Sequence, residues 1–394
     1  MTITFKKREV KSNKKFEKIF IIFLILLFYI ETSKFKDDFI SKEMKYMILM
    51  EGKEFLDKCL NQQNNIKIYQ TKKNPKISSI IPVYNSEKTI FSSICSIQNQ
   101  NFMDLEMILI DDFSSDNSLK IISSLQKNDK RIKIIKNKQN RGSLYSRSIG
   151  VLMSRGEYIF PLDNDDLFLS RNVFNYILKI AKSYYYDIVG FRAFRVANYN
   201  DKIHKIKDLY QYQYYPKDIT IFQPQLSTWM ITINEQYQPH DVTLWAKCIK
   251  TKVYKDATIR LGRKRYTIFV SWAEDAIVNY IIFNLAKSFK FIHNYGIIHL
   301  HNSSTASYSL PKEIKLFGEI YFIDIIYEFS TNVKNKNYAV KGVYHIKKML
   351  KKKKCINNTI VTFFKTILNK FLSSRYISIE NKNLLQKDFN IFFA

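Results

Sequence analysis

The stretch "ISSIIPVYNSEKTIFSSICSIQNQNFMDLEMILI" (residues 77–110) decides the fold class. Short apolar runs typical of buried strands open and close it, and the segment between them has the length and spacing of a helix. A strand, a helix and a second strand joined by short connections form a βαβ unit. The stretch therefore predicts two parallel strands of one sheet.

The same alternation continues beyond this unit. Further helices are predicted in "SDNSLKIISSLQKN" (115–128), which opens with capping residues, and in "GSLYSRSIGVLMSRG" (142–156). Further strands are predicted in "RIKIIK" (131–136) and "EYIFPL" (157–162), and two more in "FKFIHNYGIIHLH" (289–301). We expect an α/β fold with a mainly parallel sheet covered by helices on both faces.

The composition narrows the class of protein. A hydrophobic fraction of 46% in 394 residues excludes a disordered chain. The net charge of +28 favours anionic partners, among which nucleic acid, an anionic membrane and phosphorylated small molecules all stay open. The four cysteines are scattered and form no CxxC pair, which argues against a zinc site and a disulfide framework.

The beginning of the chain contains a short apolar run. Residues 1–18 are basic and lead into "IFIIFLILLFYI" (19–30), which carries no charge but falls short of the roughly 20 residues that a spanning helix needs. We interpret this run as a short signal anchor with its basic end in the cytosol; a cleaved signal peptide and a buried or interfacial helix are the alternatives. Residues 31–75 are predicted to form a helical stem or linker.

Carboxylates follow two of the predicted strands. Asp111 and Asp112 end the second strand, and Asp163, Asp165 and Asp166 follow the fourth. The carboxyl ends of parallel strands share one rim, where such sheets bind ligands. Three carboxylates this close need a cation, a basic partner or full solvation, and oxygen ligands suit Mg²⁺ or Mn²⁺. The chain has neither a GxGxxG nor a GxxxxGK[ST] element, so a bound nucleotide diphosphate would need such a cation.

Two longer stretches resemble the family 2 glycosyltransferases, which are nucleotide-sugar-dependent inverting enzymes. They are "SSIIPVYNSEKTIFSSICSIQNQNFMDLEMILIDDFSSDNS" and "NRGSLYSRSIGVLMSRGEYIFPLDNDD", and the resemblance continues weakly through "WAEDA" and "HNSSTAS". It implies the GT-A fold, a Rossmann-like mixed sheet with helices on both faces. After the N-terminal membrane anchor and the stem, we expect a GT-A domain over 76–310. This domain is divided into a nucleotide-sugar-binding half (76–190) and an acceptor half (191–310). A helical C-terminal extension follows over 311–394.

The resemblance also implies which residues bind the donor. Nucleotide-sugar binding is assigned to Pro82, Val83, Tyr84, Asn85, Asp111, Asp112, Arg147, Asp163 and Asn164. Asp112, with Asp111 beside it, would contact the nucleobase and ribose, although both could instead cap the following turn. Arg147 would contact Asp163 or the nucleotide, or form a plain salt bridge.

The implied metal ligands are Asp165, Asp163 and His301, with Mn²⁺ or Mg²⁺ as the cofactor; a solvated acidic turn without metal is the alternative. Asp275, in "WAEDA", stands where the family places its general base, and Glu274 would assist in binding the acceptor. Both acidic residues would also suit a helix N-terminus without any catalytic role. Trp272 is either an acceptor platform or a core residue.

The sequence thus predicts a metal-dependent inverting glycosyltransferase that moves a sugar from a nucleotide sugar, UDP-linked, to a hydroxyl acceptor on a glycan, protein or lipid. We expect a single-pass type II membrane protein of the Golgi or endoplasmic reticulum with a lumenal catalytic domain, and no nucleic-acid partner. The alternatives are a basic protein that binds nucleic acid or membrane on the same scaffold, and a sugar nucleotidyltransferase.

Overall fold

The computed structural model describes residues 72–196, 218–233, 236–237, 242–300, 310–330, 333–351 and 358–375, with isolated positions at 70 and between 377 and 385. The predicted anchor (19–30) and most of the predicted stem (31–75) lie outside these residues. None of the helices in the described part of the chain combines the length and the apolar character that a membrane crossing requires.

One large mixed sheet organises the described residues. The strands of the described residues are β1 (Ile77–Val83), β2 (Leu105–Asp111), β3 (Ile132–Lys136), β4 (Tyr158–Pro161), β5 (Leu167–Phe168), β6 (Ile188–Val196), β7 (Ile219–Phe222), β8 (Thr232–Ile233), β9 (Gln236–Tyr237), β10 (Lys247–Lys250) and β11 (Ser288–Leu300). β8 and β9 pair only with each other, and the other strands form the large sheet. The strand order is β3-β2-β1-β4-β10-β6-β11-β5, and β7 also pairs with β11. β1 to β4 are mutually parallel, whereas β10 is antiparallel to both of its neighbours.

Helices cover both faces of this sheet. They are α1 (Ile90–Gln98), α2 (Ser118–Asn128), α3 (Ser143–Met153), α4 (Val173–Ser183), α5 (Leu226–Ile231), α6 (Thr251–Leu261), α7 (Arg263–Tyr266), α8 (Glu274–Leu285), α9 (Lys312–Phe329), α10 (Val333–Lys351) and α11 (Asn358–Leu372). Side chains alternate along each strand, so β2 sends Met107 and Leu109 into the core beneath α1, α2 and α4, and Ile108 and Ile110 into the core beneath α3 and the later helices.

The prediction of a mixed α/β sheet with helices on both faces is confirmed. The two strands predicted in 289–301 are instead one strand, β11, whose pairing with β6 shifts register between Phe291 and Ile297. An irregularity of this kind breaks the apolar alternation that the sequence shows, which is why one strand resembles two. The predicted domain boundaries stay predictions.

The helices after residue 311 pack onto α8 through a buried polar cluster. The Tyr280 hydroxyl lies 2.6 Å from the Ser330 hydroxyl and accepts a hydrogen bond from the Asn335 side-chain amide at 3.2 Å. Asn335 also donates to Ser227 and accepts from Thr228, so it joins α10 to α5. Because buried polar groups are costly when they lack partners, this cluster fixes the position of the C-terminal helices relative to α8.

Gly156 allows the chain entering β4 to approach β1 closely. A Cβ at this position would lie 2.5 Å from the Ser78 backbone nitrogen, and the Gly156 amide donates to the Ser78 hydroxyl at 2.8 Å. A backbone atom cannot rotate away from such a contact, so only glycine fits without shifting β1 against β4.

We therefore expect Gly156→Ala to lower the free energy of unfolding by about 1–3 kcal/mol through overpacking. Urea denaturation measures this loss. Lys120→Ala, on the exposed side of α2, is the control and should stay within about 0.5 kcal/mol of the wild type. Equal unfolding midpoints for the two variants would contradict the close approach.

Candidate active site

The polar strand ends predicted from sequence share one rim of the sheet. β2, β1 and β4 are adjacent and parallel, so their carboxyl ends emerge side by side. Asp111 and Asp112, Tyr84, and Asp163 stand at these three ends. The sheet topology therefore places the acidic and aromatic candidates of the sequence at one edge, as ligand sites of open α/β sheets require.

Asp112 holds the loop that leads into α3. Its carboxylate accepts hydrogen bonds from the Asn137 side-chain amide at 2.7 Å and from the backbone amides of Arg141 at 2.9 Å and Gly142 at 2.7 Å. Gly142 has a φ of 84°, a conformation that glycine adopts without strain. Both oxygens of Asp112 are thus used within the protein, and they fix where α3 begins.

α3 carries Arg147, the cation at the centre of the site. Its guanidinium donates to Asp163 at 2.5 Å and to Asp275 at 2.6 Å, and its Nη1 lies 3.9 Å from Glu274. The arginine is 6% exposed, and although burial alone would lower its pKa, the Asp275 and Asp163 carboxylates raise it. Arg147 is therefore permanently charged and joins Asp163, which is predicted to bind the donor, to Asp275, the predicted base.

Asp275 lies in the first turn of α8, with a side chain that is 20% exposed. Its second oxygen accepts from the Leu244 amide at 3.1 Å. Burial raises the pKa of Asp275 to about 7, against the opposing effect of Arg147. A carboxylate with this pKa can hold or release a proton near neutral pH, which is what a general base needs. Glu274 beside it accepts from the Ser143 hydroxyl at 2.8 Å.

The acidic run after β4 has two different surroundings. Asp166 is fully buried, and its Oδ1 lies 2.8 Å from His299 Nδ1. Although burial works the other way, Asp166 raises the pKa of His299 to about 9, so the two form an ion pair. The His299 ring also stacks on Trp245, with centroids 4.6 Å apart. The sequence prediction chose His301, which lies outside the described residues.

Asp165 lies among other carboxylates of the acidic run. Burial, together with the neighbouring Asp166 and Asp163, raises the pKa of Asp165 to about 8. The buried Oδ2 of Asp166 accepts no hydrogen bond from the described residues. Within those residues no three His, Cys, Asp or Glu side chains are arranged as a ready metal site. The clustered carboxylate oxygens nevertheless fit a divalent cation such as Mg²⁺ or Mn²⁺.

The remaining donor-side candidates lie at the ends of β1 and β2. Pro82 and Val83 are buried within β1, whereas the Tyr84 ring is 46% exposed. Asn85 accepts a hydrogen bond from the Ser115 amide at 2.8 Å and so ties the β1 loop to the β2 loop. Asp111 is 3% exposed, and its Oδ1 has no hydrogen-bond partner among the described residues. This buried oxygen lies at the end of β2, on the rim where such sheets bind ligands.

Asn164, which the sequence analysis assigned to nucleotide-sugar binding, accepts a hydrogen bond from the Ser93 hydroxyl at 3.0 Å through its backbone carbonyl. Other residues of the site were not found from the sequence. Asn137, Leu244 and Trp245 belong to no motif, because their contributions depend on contacts between distant segments. No local signal in the sequence marks them.

Removing the charge of Arg147 would leave Asp163 and Asp275 without their shared cation. We expect Arg147→Met to cost about 3–5 kcal/mol of stability at pH 8, because unpaired carboxylates in a buried site are strongly unfavourable. The loss should shrink at pH 5, since carboxyl groups that bind protons need no counter-charge. Urea unfolding at both pH values tests this, with the exposed Lys252→Met as control, where an exposed pair contributes at most about 1 kcal/mol. A loss independent of pH would contradict the assignment.

Comparison with solved structures supports the fold. S. aureus TarS 1–349 in complex with UDP-GlcNAc superposes with a TM-score of 0.56 at 16% sequence identity, covering 80% of this chain and 87% of that one. S. aureus TarS 1–349 in complex with UDP gives a TM-score of 0.53 at 15% identity over the same shares. At such identities these similarities concern the fold alone.

Similar proteins occur in bacteria. An uncharacterized glycosyltransferase of Haemophilus influenzae is 44% identical over 92 residues, which cover 23% of this chain and only 37% of that protein. A GalNAc(5)-diNAcBac-PP-undecaprenol β-1,3-glucosyltransferase of Campylobacter jejuni is 27% identical over 225 residues, covering 51% of this chain and 72% of that protein. The predicted localisation, a type II protein of the Golgi or endoplasmic reticulum, is therefore wrong, because bacteria have neither organelle.

The family model described as Glycosyl transferase family 2 matches residues 78–236, a range that contains the rim, Arg147 and the acidic run but ends before Asp275. The family predicted from the sequence motifs is thereby confirmed. Residues 78–236 are therefore a glycosyl transferase family 2 domain.

Proposed function

We propose that this protein transfers a sugar from a nucleotide sugar, UDP-linked, to a hydroxyl group of a glycan or a lipid-linked glycan, and that the transfer inverts the anomeric centre. The observation that carries the proposal is the bridge through Arg147. One guanidinium binds both Asp163 and Asp275. Asp163 is the carboxylate proposed for the donor side of the rim, and Asp275 has a pKa of about 7.

The family and the fold neighbours support the donor. TarS, whose structure contains UDP-GlcNAc, shares the fold over most of this chain. The Campylobacter relative, by its name, adds glucose to an undecaprenol-linked glycan, which supports a glycan or lipid-linked acceptor. The unpartnered Oδ1 of Asp111 suits the N–H of a nucleobase, and the exposed Tyr84 ring suits stacking on that base. Asp112 would then act indirectly, by holding the loop before α3.

Asp275 would act as the general base. It takes the proton of the acceptor hydroxyl while that oxygen forms a bond to the anomeric carbon and the bond from this carbon to the diphosphate oxygen breaks. The diphosphate leaves with the electron pair. Arg147 keeps the Asp275 carboxylate oriented and supplies positive charge next to the departing group.

A divalent cation fits the acidic run. Asp165 would be its direct ligand, with Asp163 beside it, and the cation would offset the charge that develops on the diphosphate. His299 and Asp166 already bind each other, so we propose that they orient the run and do not supply the first ligand. Metal binding should displace the proton from Asp165, whose raised pKa favours the protonated form at neutral pH without the cation.

The donor and the cation can be tested together by thermal unfolding of the full chain with a panel of UDP-sugars. A ligand at 100 times its Kd stabilises by about 2.7 kcal/mol, and we expect one donor to do so with Mn²⁺ and much less with EDTA. Asp165→Asn should abolish the Mn²⁺ dependence, and the exposed Asp256→Asn should leave it unchanged. With an acceptor, the released product should be UDP.

Two outcomes would contradict this proposal. Release of pyrophosphate in place of UDP would identify a nucleotidyltransferase. A folded protein that no UDP-sugar stabilises, and that binds Mn²⁺ no better than Asp165→Asn, would exclude a metal-dependent UDP-sugar enzyme.

The base assignment predicts a pH dependence. Because Asp275 must be ionised, kcat/KM should rise with pH through about 7, the pKa of the free enzyme's base. Asp275→Asn should lower kcat by about 10²–10⁴-fold and remove this limb. Glu274→Gln is the matched control on the same helical turn and should keep the limb. If Asp275→Asn retains more than a tenth of the activity, the base lies elsewhere.

A further inference from the structure

The residue directly before α8 has an unusual backbone conformation. Ala273 has a φ of 62°, in the left-handed region, and directly precedes Glu274 and Asp275. Residues with a Cβ adopt this conformation rarely, and they keep it only where the surrounding structure holds them. Something outside α8 must therefore fix the chain at this point.

The first turns of α9 provide the contact that holds it. A Cβ on Gly318 would lie 2.1 Å from the Trp272 carbonyl oxygen and 2.8 Å from its carbonyl carbon. The helix backbone thus touches the backbone of the loop one residue before Ala273. Any side chain at position 318 would push the loop and α9 apart, because neither contact atom is the end of a flexible group.

Two side chains of α9 hold the indole of the same tryptophan. The Trp272 Nε1 donates to Glu319 at 3.0 Å, and the ammonium of Lys315 lies 4.9 Å from the centre of the ring. Positions 315, 318 and 319 share one face of a helix, so α9 contacts both the backbone and the side chain of Trp272. The indole N–H is therefore used within the protein.

We propose that α9, through Gly318 and Glu319, acts as the positioning element for Asp275 by holding the loop Trp272–Ala273. This inference rests on the proposed function only in taking Asp275 as the base. The loop position decides whether the Asp275 carboxylate reaches both Arg147 and the Leu244 amide. It gives α9 a positioning role in catalysis.

The decisive variant is Gly318→Ala. We expect kcat to fall at least tenfold while the KM for the donor stays within about twofold, because the donor side of the site is anchored through Asp112 and not through α9. The ascending limb of kcat/KM should move to higher pH, since a buried Asp275 that has lost Arg147 binds its proton more tightly. A loss of folding stability alone would change neither the pH limb nor the split between kcat and KM.

Two variants of Glu319 test the same inference if Gly318→Ala folds poorly. Glu319→Ala should show the same changes in milder form, and Glu319→Gln should restore activity, because its amide oxygen still accepts from the indole. Lys312→Ala, exposed at the start of α9, is the control and should behave as the wild type. Wild-type kinetics and an unmoved pH limb in both Gly318→Ala and Glu319→Ala would overturn the inference.

A crystal structure of Gly318→Ala separates this inference from the proposed function. We expect the Asp275 carboxylate to have left Arg147 while Asp112 still holds the Asn137 side chain. An Asp275 that stays within hydrogen-bond distance of Arg147 would overturn the inference, whatever the activity. A wild type that binds no donor would instead refute the proposed function. The distance between Asp275 and Arg147 in Gly318→Ala would then still test whether α9 positions Asp275.

Discussion

The buried guanidinium of Arg147 is the constraint on which the rest of the site depends. It joins Asp163, 16 residues further along the chain, to Asp275, 128 residues further along, so that one charge connects the parallel half of the sheet with the later helices. A buried arginine with two carboxylates is stable only when its geometry is well held. The surrounding contacts supply that geometry, from Asp112 at the start of α3 and from α9 at the start of α8.

The site also shows how a basic protein can carry an acidic centre. The chain has a net charge of +28, yet Asp163 and Asp275 bind Arg147 and Asp166 binds His299, with Asp165 beside Asp166 in the chain. The pKa values of Asp165 and Asp275 are both raised, first by burial. A cation bound among these carboxylates would offset part of their charge and could in turn bind an anionic diphosphate.

Much of the fold and part of the site could be predicted from the sequence. Apolar periodicity and short connections identified β1 to β4, since these features are local. The topology of parallel strands then implied that Asp111, Asp112 and Asp163 would meet. The contact of Arg147 with Asp275 was beyond such reasoning, because it joins segments related only by the packing of α3 against α8. The same holds for the pairing of His299 with Asp166 and for the contact of Gly318 with Trp272.

The localisation error has a different origin. Hydropathy and charge describe a segment's affinity for a bilayer, but they carry no information about which organelles a cell possesses. The similar bacterial proteins supplied that information. The sequence prediction for Trp272 offered two alternatives, an acceptor platform and a core residue. In the structure the ring is partly exposed and is bound by a neighbouring helix, an arrangement that neither alternative described.

A crystal structure with an intact UDP-sugar would show whether Asp163, Asp165 and Asp275 serve one reaction around Arg147. We expect the diphosphate beside Asp163 and Asp165, with the opposite face of the anomeric carbon open toward Asp275 and room for an acceptor oxygen at about 3–3.5 Å from that carbon. A donor bound away from this rim, or a sugar whose open face points away from Asp275, would contradict it.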